Sequence, residues 1–306
     1  AAAAASKFEV QPVGGKGLAV VATAAIERGE LILQERPIMI VRRTSDPAEL
    51  EAEVQEALRR CSLAEASSFW ELSDAHAGAG EKTALGVVRT NGLPVDQEEG
   101  EGIGVYPTVS RFNHSCVHNV YNSWQDDLHA EVLYANRDIE EGEELCITYL
   151  DLFQTRDERQ AELARVFRFE CSCEACSFEG QARSISDGNR RVLQKLRDAL
   201  PAAQHLAGRV VAKMMDVIDA ELRGNPAAKC CAYHLGYQVA AEAGDAVAAA
   251  EMARRAWEQS VLSEGPGAWR SRMLEKCAAS AGSGCDPGAG AFGWGSEGIR
   301  AETSGA

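Results

Sequence analysis

Two stretches decide how the chain is read: Arg111-Phe112-Asn113-His114-Ser115-Cys116, and Phe167-Arg168-Phe169-Glu170-Cys171-Ser172-Cys173-Glu174-Ala175-Cys176. In the second, Cys171, Cys173 and Cys176 follow a C-x-C-x-x-C spacing. Three thiolates this close suit three corners of a zinc tetrahedron. No fourth ligand stands beside them. Cys116 lies well upstream, beside an Asn-His pair in a polar, turn-prone stretch. If Cys116 closes the site, a metal ties the middle of the chain to the end of its domain. The alternative is a set of thiols that bind no metal.

Upstream of Cys116 the pattern is short strands and tight turns. Phe8-Glu9-Val10 and Leu18 to Ala22 read as strands around the turn Gly14-Gly15-Lys16-Gly17. Ile26 to Glu30 is a further turn. Leu31 to Val41 is a long apolar segment broken at Pro37, which suits edge strands. A helical insert follows, about 44–90. Asp46-Pro47-Ala48-Glu49 offers an N-cap, a proline at the first helical position and a glutamate three after the cap. Leu50, Val54, Leu58 and Cys61 then fall on one face. Ser62-Leu63-Ala64-Glu65 repeats the capping pattern, and Lys82 to Thr90 reads as a third helix.

Strand character returns at Ile103 to Tyr106. Asn119 to Trp124 and His129 to Ala135 read as a hairpin, and Leu145 to Tyr149 as a strand after the turn Glu140 to Glu143. Thr155-Arg156-Asp157-Glu158 caps a helix that runs to Val166 and delivers the cysteines. Beyond about residue 183 the chain is Ala-rich, with helical segments near 188–200, 204–222, 227–243, 245–262 and 267–279. Residues 281–306 are rich in Gly and Ala and read as a disordered tail. Residues 1–7 read as a disordered fragment end, since Ala1 to Ala5 carries no basic region of a signal peptide.

Composition bounds the function. The 306 residues hold 31 basic and 46 acidic side chains, a net charge of −15. Phosphate binding needs a basic face, so nucleic acid is not expected as a direct ligand. An acidic surface suits a basic, lysine-rich partner, and equally serves solubility. Ten cysteines in a chain this long, clustered at metal spacing, read as thiols rather than as a disulfide framework. That points to a reducing compartment, cytoplasm or nucleus. No apolar run approaches the roughly 20 residues of a membrane span.

The motifs together resemble a known family. Asn113-His114-Ser115-Cys116, then Glu144-Leu145-Cys146-Ile147-Thr148-Tyr149, then the C-x-C-x-x-C, are similar to a SET-domain protein lysine methyltransferase with its post-SET zinc site. The SET-and-MYND group is the nearest variant, and there the cysteine of N-H-S-C completes the zinc. The resemblance spans about residues 8 to 178. It implies an α+β, β-rich SET fold of small twisted sheets with a knot-like core over 8–166. It also implies a post-SET zinc segment at 167–180 and a helical, tetratricopeptide-like region at 183–280. The MYND zinc module that interrupts this group is absent here, because the insert offers only Cys61 and His76 as ligands.

The resemblance also assigns roles. It implies S-adenosylmethionine as cofactor and one structural zinc held by Cys116, Cys171, Cys173 and Cys176. Lys16, Gly17 and Leu18 match its glycine-flanked cofactor segment, where a Cβ is expected to block backbone approach. Asn113 and His114 match cofactor contacts, with Asn113 on the methionine amino group. Asn91 resembles a further contact asparagine. Phe169 matches an aromatic that stacks on adenine. Tyr149 resembles the catalytic tyrosine, and it also meets the cofactor. Other readings of these residues are a polar turn, a core aromatic and a buried strand tyrosine. The implied partner is a protein with an accessible lysine. Ile147 and Phe167 fall where such enzymes often carry further aromatics facing the substrate channel. Neither has a hydroxyl, so di- or trimethyl-lysine is the expected product. A cofactor-binding but inert scaffold is the rival reading.

Overall fold

The computed structural model describes residues 6–78, 80–97 and 100–280. The expectations for residues 1–5 and for the tail at 281–306 lie outside the described residues. Lys7, read with the fragment end, instead donates to the Ala25 carbonyl and pairs with Glu30.

The N-terminal half is built from small sheets, as its punctuation by glycine and proline dictates. Strands β1 (Phe8–Val13) and β2 (Gly17–Ala22) form an antiparallel hairpin. Gly15 and Gly17 in its turn hold φ of 78° and 74°. Pro37 splits the apolar run 31–41 as its missing donor requires. Strand β3 (Leu31–Glu35) and strand β4 (Met39–Arg42) enter different sheets, each at an edge. Between them and the next strands lies the insert of α1 (Pro47–Arg60), α2 (Leu63–Glu71) and α3 (Ala84–Asn91). Asp46 caps α1, and Ser62 with Glu65 forms a full capping box on α2. Leu50, Val54, Phe69, Val87 and Val88 bury against Met39, Val41 and Ile103. Each such fully buried side chain contributes about 1.5–3 kcal/mol.

Strand β5 (Leu93–Gln97) has no counterpart in the sequence reading. Pro94 argues against a strand, but β5 lies at the edge of the order β4-β6-β5, where a missing N–H is tolerated. Strand β6 (Gly100–Val105) pairs with both neighbours. Strand β7 (Asn113–His114) follows, then the hairpin β8 (Val120–Gln125) and β9 (Ala130–Ala135), with β3 on its other side. The expected strand 145–149 is shorter. Only β10 (Cys146–Ile147) is a strand, parallel to β7. Leu145 instead donates to the Val20 carbonyl, and Tyr149 donates to a side chain. The stretch is divided among three partners, so no regular strand can form. Val20, Ile26, Phe112, Leu133, Leu145 and Ile147 fill the space between these sheets.

Helix α4 (Arg156–Glu162) continues as a π-helical turn, Leu163–Phe167, which Arg168 ends at a left-handed φ of 60°. The helical region then begins earlier than expected. Helix α5 (Gly180–Ala199) starts right after the cysteines, not at 188. Its polar first half broke the apolar period because it is used polar-to-polar. Asp187 accepts from the Arg156 N–H at the start of α4, and Arg183 pairs with Asp157. Helices α6 (Ala207–Glu221), α7 (Pro226–Glu242), α8 (Ala246–Glu264) and α9 (Trp269–Ala279) complete the described chain. Val211, Met214, Ile218, Tyr237, Ala253 and Leu274 share one core with Phe153 and Leu193. The fold is thus α+β, with the helical region packed beside the sheets.

Candidate functional site

The parallel pairing of β7 with β10 sets the site. It places Cys116, just past β7, opposite the loop that Arg168 turns out of the π-helical segment. There the Sγ of Cys116 lies 3.5 Å from Cys176 and 4.0 Å from Cys171. The sulfurs of Cys116, Cys171, Cys173 and Cys176 all lie within 4.8 Å of one another. A tetrahedron with Zn–S bonds of about 2.3 Å needs sulfurs about 3.8 Å apart, and the cluster fits it. Protons shared with Cys171, Cys173 and Cys176 push the Cys116 thiol up, and the same sharing pulls Cys173 down.

The surroundings supply donors to the sulfurs. Arg159 is fully buried, and its Nη2 points at Cys176 Sγ at 3.8 Å. Its Nη1 donates to the Gln154 carbonyl, and no carboxylate pairs with it among the described residues. A buried guanidinium needs a counter-charge. Cysteine sulfur is what this one faces. Gln160 clasps the Cys171 backbone at both ends, accepting from its N–H at 2.9 Å and donating to its C=O at 2.6 Å. His114 Nδ1 accepts the Tyr149 N–H at 3.1 Å, so its proton is on Nε2, 3.3 Å from Cys116 Sγ. Burial holds that ring neutral, with its pKa pushed down to about 3. Cys116, Cys171, Cys173 and Cys176 would hold one zinc ion with no open position for water.

The same loop walls a cavity of about 380 Å³. The β1–β2 turn gives it Lys16, Gly17 and Leu18, and the end of α3 gives Asn91. The segment from Val109 to His114 gives Asn113 and His114, and β10 with its following turn gives Ile147 and Tyr149. Phe167, Phe169, Cys171 and Cys173 close the wall. The sequence-predicted residues thus meet in one place, with Cys116 and Cys176 behind it. No protein atom lies within 4 Å of a Cβ built on Gly15 or Gly17. Their positive φ, rather than crowding by the protein, calls for glycine.

Within the cavity the polar groups have defined orientations. Asn113 Nδ2 donates to Glu144 Oε1 at 2.9 Å and to the Leu18 carbonyl at 3.4 Å. Lys16 Nζ pairs with Glu144 Oε2 at 2.7 Å. Partial burial works against that ammonium, but the bonded Glu144 offsets it and its pKa moves up. Asn91 Nδ2 is committed to the Ser73 and Val87 carbonyls, both at 2.7 Å. Only its oxygen remains to meet a ligand. Tyr149 Oη donates to the Phe112 carbonyl at 2.9 Å. Burial, with the Cys146 and Glu144 charges, keeps Tyr149 a neutral phenol by raising its pKa. Its ring lies 4.9 Å from Phe167 and 5.3 Å from His114, while Phe169 stands 6.2 Å from His114 at the rim.

Sequence reasoning missed Glu144 as a site residue, and missed Arg159 and Gln160 altogether. Glu144 stood inside a quoted motif, but its partners are distant in sequence. Arg159 and Gln160 lie in the helix expected up to Val166, but nothing local marks either as part of the site.

Residues 17–150 match the family described as SET domain. Histone-lysine N-methyltransferase set5 of Schizosaccharomyces pombe is 36% identical over 187 residues, covering 61% of this chain and 56% of that protein. Histone-lysine N-methyltransferase SMYD3 of Homo sapiens is 37% identical over 108 residues, covering 34% and 24%. Protein-lysine N-trimethyltransferase SMYD5 of Gallus gallus is 40% identical over 90 residues, covering 27% and 21%. The chain therefore spans about half the length of set5 and about a quarter of the SMYD proteins or less.

Proposed function

We propose that this chain, which carries a SET domain related to those of set5 and the SMYD proteins, is an S-adenosylmethionine-dependent protein-lysine N-methyltransferase. The observation that carries the reading is the meeting of Asn113, His114, Tyr149 and the cysteine loop around one cavity. The cofactor, when bound, supplies an electrophilic methyl group on a sulfonium. The chain's part is to position the lysine amine and keep water out. The Tyr149 hydroxyl has spent its proton on the Phe112 carbonyl, so its oxygen can only accept. It orients an amine by taking one of its N–H bonds. A neutral phenol this hard to ionise is no base, so the amine must lose its proton through burial and the neighbouring sulfonium charge.

In this proposal Asn113 Oδ1 accepts from the cofactor's amino group, with Lys16, Gly17, Leu18, Asn91 and His114 around it. Phe169 offers a flat face at the rim for adenine. One structural zinc on Cys116, Cys171, Cys173 and Cys176 fixes the loop that carries Phe167 and Phe169. The apolar Ile147 and Phe167 leave an amine free to turn for a second and third methyl. The relatives set5 and SMYD3 are named for histone lysines, so a histone is the first substrate to try. A reduced four-thiolate site fits the cytoplasm or nucleus. The test is incubation of purified protein with a deuterated-methyl cofactor and core histones or a cell extract, read by mass spectrometry. Label on lysine, rising to di- and trimethyl forms, is expected. Cofactor binding without any label transfer would leave a scaffold instead.

A further inference from the structure

Glu144 lies where three backbones meet. Its backbone bridges to Val21, Leu145 after it donates to Val20, and Cys146 pairs with Asn113. Its carboxylate then joins two side chains that the sequence keeps far apart. Oε2 holds Lys16 at 2.7 Å, and Oε1 accepts from Asn113 Nδ2 at 2.9 Å. The remaining proton of Asn113 goes to the Leu18 carbonyl at 3.4 Å. An amide whose two N–H bonds are both engaged has only its oxygen left to offer. An amide is nearly symmetric in shape and flips at little steric cost, so these two acceptors set its sense, and Glu144 is the nearer and the charged one.

We infer that Glu144 is the positioning residue for the amino-acid end of the cofactor, an inference that rests on the cofactor reading above. An α-amino acid presents an ammonium and a carboxylate side by side. Asn113 Oδ1 suits the first and Lys16 the second. One carboxylate sets both: it turns the Asn113 oxygen outward and stations the Lys16 ammonium at the glycine turn. Without Glu144 only the 3.4 Å bond to the Leu18 carbonyl holds the Asn113 amide against presenting N–H to an ammonium, and Lys16 is untethered.

Two probes separate this role from a general structural one. S-adenosylhomocysteine carries the amino-acid end, whereas 5′-methylthioadenosine lacks it. Calorimetry on the full chain should show Glu144→Ala weakening S-adenosylhomocysteine by about tenfold or more, the scale of one hydrogen bond to a charged group. Binding of 5′-methylthioadenosine should stay within about twofold of the parent. Glu144→Gln should fall between, since its amide oxygen can accept from Asn113 but cannot pair with Lys16. The losses from Glu144→Ala and Lys16→Ala should be less than additive in the double variant. Equal loss for both probes, or no loss for either, overturns the inference. If the parent protein binds neither probe, the cofactor reading fails and takes the inference with it. If the parent binds both and the variants show no selectivity, only the role of Glu144 falls.

Discussion

Two buried arginines flank the cysteine cluster and are neutralised differently. Arg190, on α5, is wholly buried and pairs with Glu221 of α6 at 2.8 Å. It also donates to the Leu152 carbonyl at 2.5 Å and to the carbonyl of Cys116 at 3.3 Å. Arg159, on α4, is as deeply buried but faces sulfur and a carbonyl. One arginine faces a carboxylate and the other faces cysteine sulfur. The first stitches the helical region to the backbone of a candidate metal ligand. The second would gain its counter-charge if those thiols were ionised, as a bound divalent cation would bring about.

The largest expected effect breaks the sulfur side of the contrast. Cys176→Ser should lower zinc from about one ion per chain to near none in elemental analysis. It should also weaken S-adenosylhomocysteine, because Phe169 rides on the same loop. Full zinc occupancy in this variant would remove the four-cysteine site.

Next come the arginines themselves. Arg190→Met leaves Glu221 buried without its partner and should cost about 3–5 kcal/mol in denaturant unfolding. That loss should persist whether or not zinc is present. Arg159→Met leaves no orphaned carboxylate. It should instead lower zinc affinity by about 10–100-fold in chelator competition, the usual scale for outer partners of a metal ligand. Equal zinc loss in both variants would erase the contrast.

A further effect tests a buried carboxyl elsewhere. Glu131 is buried on β9, accepts from Asn122 at 2.8 Å, and has an Oε2 without a partner among the described residues. Burial pushes its pKa up to about 8, with the Asn122 bond working the other way. The folded state then holds a proton that the unfolded state releases near its ordinary carboxylate value. Stability from this group is complete below that value and falls as pH rises to about 8. Glu131→Gln should remove the fall, so its Tm advantage over the parent should grow between pH 5 and pH 8.5. A constant difference across that range would contradict the assignment.

How much of this was legible depends on how local each signal is. The C-x-C-x-x-C spans six residues, Cys171 to Cys176, and can be read directly. Pro37 and the capping boxes at Ser62 and Thr155 likewise act within a turn, and the elements they delimit are present. Strand β5 was hidden because Pro94 contradicts a strand unless its edge position is known. The start of α5 was hidden because Asp187 is polar yet buried against α4. Glu144 and Arg159 were hidden for the same reason at longer range. Their partners are chosen by the fold, and a charged residue in a sequence does not announce its burial.

If the proposed function is right, Tyr149 works on a lysine amine in a cavity that binds the cofactor independently of its hydroxyl. The direct test is Tyr149→Phe, with S-adenosylhomocysteine affinity and methyl transfer measured on the same preparation. The account predicts affinity close to that of the parent and turnover lowered by roughly 10²-fold or more. Turnover equal to that of the parent would contradict it.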